Sequence, residues 1–311
     1  MLTGIPYPIK GLYLHGSNAL ISYANTQQVR EALLSLDFFA AVDLFHTPTT
    51  QIADIVLPAA TWLERDFVIS SVQVSPDGVH LQQKVAQIGE CRSDVNILNQ
   101  LAQRMGLGFF FENEQKLADY VLSPLGISFE DFKGLKHFYI PVQYRKYEAD
   151  GFRTPSGKIE LTSSIVADAG GDALPHYVEP FESPYSTPDL AKEFPFMLTT
   201  GGLSPVYRHT ELRNVPWLRE IDPNLRVIMN DEMGLSMGFE NGRFVIVESP
   251  RGRMRARLRL DPGIAPSVVQ VVHGWPDEEN VNLLTDDEHL AEMVGSTCLR
   301  GLLCRVYKDG S

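Results

Sequence analysis

The residues placed to do chemistry lie late in this chain. Phe194-Pro-Phe-Met-Leu198 is an apolar run of strand type, broken by Thr199-Thr200-Gly201-Gly202. Two hydroxyls and two glycines at a strand end leave backbone N–H groups open, so such a turn can hold an anion; an ordinary strand-to-loop turn has the same composition. His209-Thr210 follows, and Val271-Val-His273-Gly274-Trp275 puts a histidine and an indole at the end of another apolar run. A lone histidine there serves a ligand or simply satisfies its own surroundings.

The first third supplies a second set. Lys10–His15 reads as a buried strand stopped by Gly16-Ser17-Asn18. Thr26 is placed to cap a helix from Gln27 to Leu36, Phe38–Asp43 is the next strand, Thr47–Ala53 holds one or two helical turns, and Ile55–Leu57 is a third strand ended by Pro58. This β-α-β-α-β order predicts a parallel sheet with right-handed crossovers, which binds ligands beyond the carboxyl ends of its strands. Those ends carry Gly16, Ser17, Asn18, Asp43 and the Trp62–Arg65 segment. A carboxylate such as Asp43 can accept paired hydrogen bonds from guanine N–H groups or from ribose hydroxyls; capping the following turn is the alternative. His15, also at a strand end, is the nearest acid–base candidate.

The elements that must position these residues follow from periodicity. Phe67 to Ile88 alternates as short strands, with Val79–Gln83 as one of them. Ser93 caps a helix from Asp94 to about Met105, with Val95, Leu98, Leu101 and Ala102 on one face and Gly106 at its end. Asp94 in the first turn suits the helix dipole without any ligand. Residues 107–150 read as helices and loops whose aromatics, from Phe109 to Tyr139, belong to packing. Thr154–Leu161 is a turn feeding a short strand, with Lys158 either on the surface or in reach of a phosphate. Residues 163–193, rich in Pro, Ser, Asp and Gly, predict a linker. Short strands then follow at 196–198, 226–229, 243–248, 253–260 and 267–272, with a short helix capped by Asn230, and their spacing predicts a small closed barrel. Arg253, Arg255, Arg257 and Arg259 share one face of their strand, either solvated or docked on an acidic polypeptide.

Composition sets the limits. The 311 residues suffice for two domains, and 44% hydrophobic with 21% charged residues is ordinary for a globular chain. A net charge of −12 argues against a nucleic-acid partner. No apolar run of about 18 residues is present, so no membrane span is expected. Cys91, Cys298 and Cys304 form no C-x-x-C pair, so no iron–sulfur or zinc cradle is expected and unpaired thiols are. The expected compartment is the cytoplasm, or the periplasm if a partner carries the export signal.

Taken in order, Ala53–Glu64, Phe152–Leu161, Phe194–Gly202, His209-Thr210, Gly238–Gly242, Val247–Gly252, His273–Trp275 and Asn280–Asn282 resemble the later half of the molybdopterin oxidoreductases related to dimethyl sulfoxide reductase. The resemblance implies an α/β plus β fold: a Rossmann-like parallel α/β domain over residues 1–162, the linker 163–193, and a double-psi β-barrel over 194–311. It also implies a molybdenum or tungsten ion held by two pterin guanine dinucleotides. By residue-to-residue matching, Thr199, Thr200, Gly201, Gly202, His209 and Thr210 wrap one pterin and its pyrophosphate. His273, Trp275, Asn282 and Arg300 match late positions on the same group, while Asp43, Arg65 and Asp94 grip the other dinucleotide. The arginine that the family usually places after Thr-Thr-Gly is Gly202 here, leaving Arg208 or Arg213 to supply that charge. The metal's protein ligand and any iron–sulfur cluster belong to the earlier half, so no catalytic residue is assigned. The expectation is a cofactor-binding part completed by a separate N-terminal polypeptide, acting on a small redox substrate; the rival is a pterin dinucleotide carrier or an inactive remnant.

Overall fold

The computed structural model describes residues 1–69, 78–108, 110–141, 143–202, 204–291 and 293–310. Internal contacts divide the chain into two units. One comprises Met1–Ala41, Phe45–Val56 and Pro175–Ser311, and the other Val42–Leu44 and Leu57–Leu174. The expected boundary at residues 163–193 differs from this, because Pro175 onward packs with the barrel: Glu182, 5% exposed, accepts the Leu303 N–H at 2.9 Å and pairs with Arg251.

The first strands form where short apolar runs end at turn residues, β2 being buried on both faces from Phe39 to Val42. β1 (Gly11–His15), β2 (Phe38–Asp43) and β3 (Ile55–Pro58) lie in that order in one sheet. β2 and β3 run parallel: Phe39 O accepts from Asp54 N at 2.8 Å and Asp43 O from Ala59 N at 3.1 Å. Between β1 and β2 come α1 (Ala19–Ser22) and α2 (Thr26–Leu34). The cap of α2 is Asn25, one residue earlier than expected, because its side chain accepts the Gln28 N–H from a left-handed backbone.

In the second unit, β4 (Phe67–Ile69), β5 (Gly78–Gln82) and β6 (His137–Tyr139) make a small antiparallel sheet. It packs on Leu122, Phe129 and Phe132, which are all but fully buried. α3 (Asp94–Arg104) begins as expected, the Ser93 hydroxyl accepting the Asn96 N–H at 3.2 Å. Its inward residue is Ile97, however, and Leu98 and Leu101 are exposed, so the face anticipated from spacing is not the buried one. Thr154–Leu161 forms a turn with no strand, since the Thr154 hydroxyl and the Gly157 carbonyl are satisfied locally. Phe109 and the 70–77 part of the expected strands lie outside the described residues.

The remaining six strands close a barrel. They are β7 (Phe196–Gly202), β8 (Arg226–Met229), β9 (Phe244–Ser249), β10 (Gly252–Leu260), β11 (Val268–Val272) and β12 (Arg300–Lys308), in the order β10-β8-β11-β7-β12-β9. Period-two alternation builds the core, as Phe196 and Leu198, Val245 and Val247, Val269 and Val271, and Leu302 and Cys304 all point inward. β10 follows the rule in full, burying Met254, Ala256 and Leu258 while its arginines face outward. Two of these arginines are committed within the chain, Arg255 to Asp309 at 2.6 Å and Arg259 to Asp261 at 3.1 Å. β12 was not among the expected strands; it turns Leu302, Cys304 and Val306 to the barrel core, while Leu303 is buried on its other face.

Candidate functional site

The site grows from β7. Thr199 to Gly202 does not end the strand, as its composition suggested; it stays in the ladder between β11 and β12. The irregularity lies across from it, where Val272 faces both Gly201 and Gly202. Small residues allow this: a Cβ on Gly202 would press on Val272 and Gln270, and one on Gly201 would come to 3.5 Å from the Arg300 guanidinium. Thr200 is pinned by its hydroxyl, which donates to Leu299 O at 2.8 Å.

β11 delivers the next residues. It stops at Val272, and His273 then donates from Nδ1 to the Thr200 carbonyl at 3.3 Å. Its Nε2 meets Nδ1 of His209, the rings stacked with centroids 4.4 Å apart. Gly274 holds φ +92°, where any Cβ would run into the His209 carbonyl. Only glycine fits that position. Trp275, 3% exposed, ends the turn edge-on to Tyr207.

Arg213 ties these pieces together. It is 5% exposed, with its guanidinium 4.5 Å over the Tyr207 ring and 4.4 Å over Trp275. Nη2 donates to His273 O at 2.7 Å and Nε to His209 O at 3.2 Å, whereas the buried Nη1 has no partner among the described residues. Burial lowers its pKa to about 10. The same loss of water, helped by His209, Arg213 and Arg300 and opposed by the Thr200 bond, pulls His273 below the ordinary histidine value. Nearby Glu279 moves up, again through burial, against the pull of Arg219, Arg213 and Arg255.

The structure thus brings Thr199, Thr200, Gly201, Gly202, His209, His273, Trp275 and Arg300 into one region, with Thr210 next to His209. Of the two arginines expected as sources of that charge, Arg213 is buried in this region and Arg208 is exposed. Asn282 is occupied elsewhere: 3% exposed, it donates to Ile21 O at 2.6 Å and accepts from Thr285 at 3.1 Å. Asn280, not singled out from sequence, donates from its amide nitrogen to both Leu20 O and the Thr26 hydroxyl, and the Asn-Val-Asn spacing was its signal. Gly16 (φ +56°), Ser17 and Asn18 follow β1, and the Asn18 amide oxygen accepts from Thr49 at 2.7 Å. His15 meets Tyr13 through Nδ1 at 3.3 Å.

In the second unit, Asp43 ends β2 and accepts the Leu44 N–H at 2.7 Å. Arg65 follows a single helical turn locked by Glu64, whose carboxylate takes the N–H groups of Thr61 and Ile88. Arg65 and Asp94, both matched to a dinucleotide, are bound to each other at 3.1 Å, and the buried Arg65 Nε lacks a partner among the described residues.

Comparison with known proteins now gives the arrangement a context. Residues 3–104 match the model of the molybdopterin oxidoreductase family, and residues 196–302 that of the molybdopterin dinucleotide binding domain. The chain belongs to the molybdopterin oxidoreductase family. Acetylene hydratase of Syntrophotalea acetylenica is 33% identical over 99% of this chain and 45% of its own length. A putative dimethyl sulfoxide reductase catalytic subunit of Halobacterium salinarum is 28% identical over 95% of the chain and 36% of its own length. The solved acetylene hydratase of Pelobacter acetylenicus superposes with a TM-score of 0.89 at 30% identity, covering 99% of this chain and 45% of that one. This molybdopterin oxidoreductase chain therefore spans less than half the length of these relatives, and its closed barrel falls in the dinucleotide-binding match. No helix among the described residues is long and apolar enough to cross a membrane.

Proposed function

We propose that this chain is the cofactor-gripping part of a molybdenum or tungsten oxidoreductase, with binding sites for two pterin guanine dinucleotides and a separate polypeptide carrying the metal ligand and electron relay. On this reading the barrel is a double-psi barrel and the β1-β2-β3 sheet is Rossmann-like. The observation that carries the proposal is Arg213, a buried cation packed against the Tyr207 and Trp275 rings beside the His209–His273 pair, with one N–H unanswered among the described residues. A buried polar group without a partner is costly, and an anionic or carbonyl oxygen of a bound heterocycle would answer it.

The residues present fit such a group. His209 offers its Nε2 for a pterin edge, with His273 behind it holding the ring through Nδ1 of His209. The Thr199 hydroxyl, Arg300 and Arg213 suit a pyrophosphate. In the second unit Asp43 suits a guanine edge and Arg65 a phosphate, Asp94 being the carboxylate displaced from it. When bound, the cofactor supplies a metal centre that exchanges electrons or an oxygen atom with a small substrate. This chain's part is to hold and orient: Gly274 lets the His209 backbone close on the turn, and Trp275 and Tyr207 keep water from the Arg213 face.

Metal and pterin analysis of the chain, purified from its own cells without oxygen and with co-purifying polypeptides identified by mass, tests this. Molybdenum or tungsten, pterin guanine dinucleotide and a second chain together are expected. Pterin without metal or partner indicates a carrier instead, and none of the three indicates an inactive remnant.

A further inference from the structure

The barrel carries a second concavity. It is a cleft of about 480 Å³ between the Gly238–Gly242 turn, the start of β9, the outer face of β10 and the end of β12. β12 runs away from the candidate site: Arg300 pairs with Thr199, while Lys308 pairs with Val245 of β9. Eight residues of strand separate them, roughly 26 Å at ~3.3 Å per residue. Lys308 therefore lies far from Thr199, although Arg255 of the cleft wall acts on the same Glu279 as Arg213.

Its charge is opposite to that of the chain. Arg243, Arg255, Arg257 and Lys308 line it, against Glu240 and Asp309, in a protein with a net charge of −12. The two carboxylates are already used, Asp309 by Arg255 at 2.6 Å and Glu240 by Arg243 at 3.5 Å. Arg257 and Lys308 have no carboxylate partner among the described residues, which leaves two uncompensated positive charges on one wall. The guanidiniums are also held in place. Arg255 lies 3.8 Å over the Phe244 ring and Arg257 5.3 Å over the same ring, so two like charges are stacked side by side. Fixing guanidiniums on an aromatic face lowers the ordering cost of a forked contact to an oxyanion.

We propose that this cleft binds a phosphoryl dianion, with Arg257 and Lys308 as its principal contacts and Arg255 as a second guanidinium. Two unpaired positive charges match a phosphate monoester's charge of about −1.5 to −2. A cavity of a few hundred Å³ suits a small ligand. The phosphoryl group belongs either to free phosphate or to a larger phosphorylated molecule.

Titration calorimetry of the intact chain with inorganic phosphate and with phenyl phosphate, against sodium chloride at equal ionic strength, tests the proposal. Saturable binding of phosphate is expected, weakened at least tenfold by Arg257→Gln with Lys308→Met and unchanged by Arg259→Gln, whose side chain is paired with Asp261 on the same strand. Phenyl phosphate binding tenfold tighter than phosphate assigns the site to a larger phosphorylated molecule; equal binding assigns it to the free ion. The replaced side chains are all outward-facing, and circular dichroism checks that each variant is folded; the single Arg257→Gln variant repeats the test if the double one is not. No heat beyond that of chloride, or equal binding by the double variant, overturns the proposal.

Discussion

His209 Nδ1 meets His273 Nε2, and this contact engages the second ring nitrogen of His273. The Thr200 carbonyl can only accept, so His273 donates to it from Nδ1 and turns Nε2 to His209. A backbone carbonyl of β7 thus orients the pair and leaves His209 Nε2 outside these two contacts.

This pair gives a pH dependence. Burial holds His273 below its ordinary value of 6.5, so the unfolded chain binds the proton more readily than the folded one. The stability contributed by the neutral ring is fully present above pH 6.5 and is lost as pH falls below it towards the folded value. Melting temperatures of the parent chain and of His273→Gln, measured from pH 8 to pH 5, should converge or cross on acidification. A gap that is constant across this range would rule out the assignment.

Arg213 should be the costliest polar residue of the site to remove. Arg213→Ala removes the donors that the His209 and His273 carbonyls have in this side chain, together with its packing against Tyr207 and Trp275. A loss of about 2–4 kcal/mol is expected from buried unmet acceptors and lost packing, read as a lower urea midpoint at unchanged slope. Arg213→Lys should recover little, because a compact ammonium cannot reproduce the planar fork that reaches two carbonyls while packing against both rings.

Two glycines separate space from backbone strain. Gly242 and Gly274 both have positive φ, but a Cβ on Gly242 meets nothing within 4 Å whereas one on Gly274 meets the His209 carbonyl. Gly242→Ala should cost about 1 kcal/mol, the penalty of the left-handed conformation alone. Gly274→Ala should cost at least twice as much and broaden the Trp275 fluorescence transition.

Asn282 distinguishes holding the fold from touching a ligand. Its amide is spent on Ile21 O and Thr285, so Asn282→Ala should destabilise the chain by about 1–3 kcal/mol, equally with and without bound cofactor. A variant of normal stability that loses only pterin would assign the side chain to the ligand instead.

Much of this was legible along the chain because strands announce themselves locally. The Phe38–Asp43 and Arg226–Met229 strands fall where short apolar runs place them, and Met254, Ala256 and Leu258 point inward as a period of two requires. Ser93 and Asn230 cap their helices for the same local reason, a side-chain oxygen within reach of an N–H three residues on. Order and type of motif were enough to indicate the family. Partners distant in sequence are decided by packing, which one-dimensional periodicity does not encode. Thr-Thr-Gly-Gly reads as a strand end until β11, about seventy residues later, pairs with Thr199, Gly201 and Gly202 and keeps them in the ladder. Asn282 reads as a ligand contact until α1, some 260 residues earlier, presents a carbonyl to it. The burial of Arg213 against Tyr207 and Trp275 arises in the same way, since desolvation depends on which surfaces close over a side chain, and only the folded barrel brings β11 and the His209 turn together to do so.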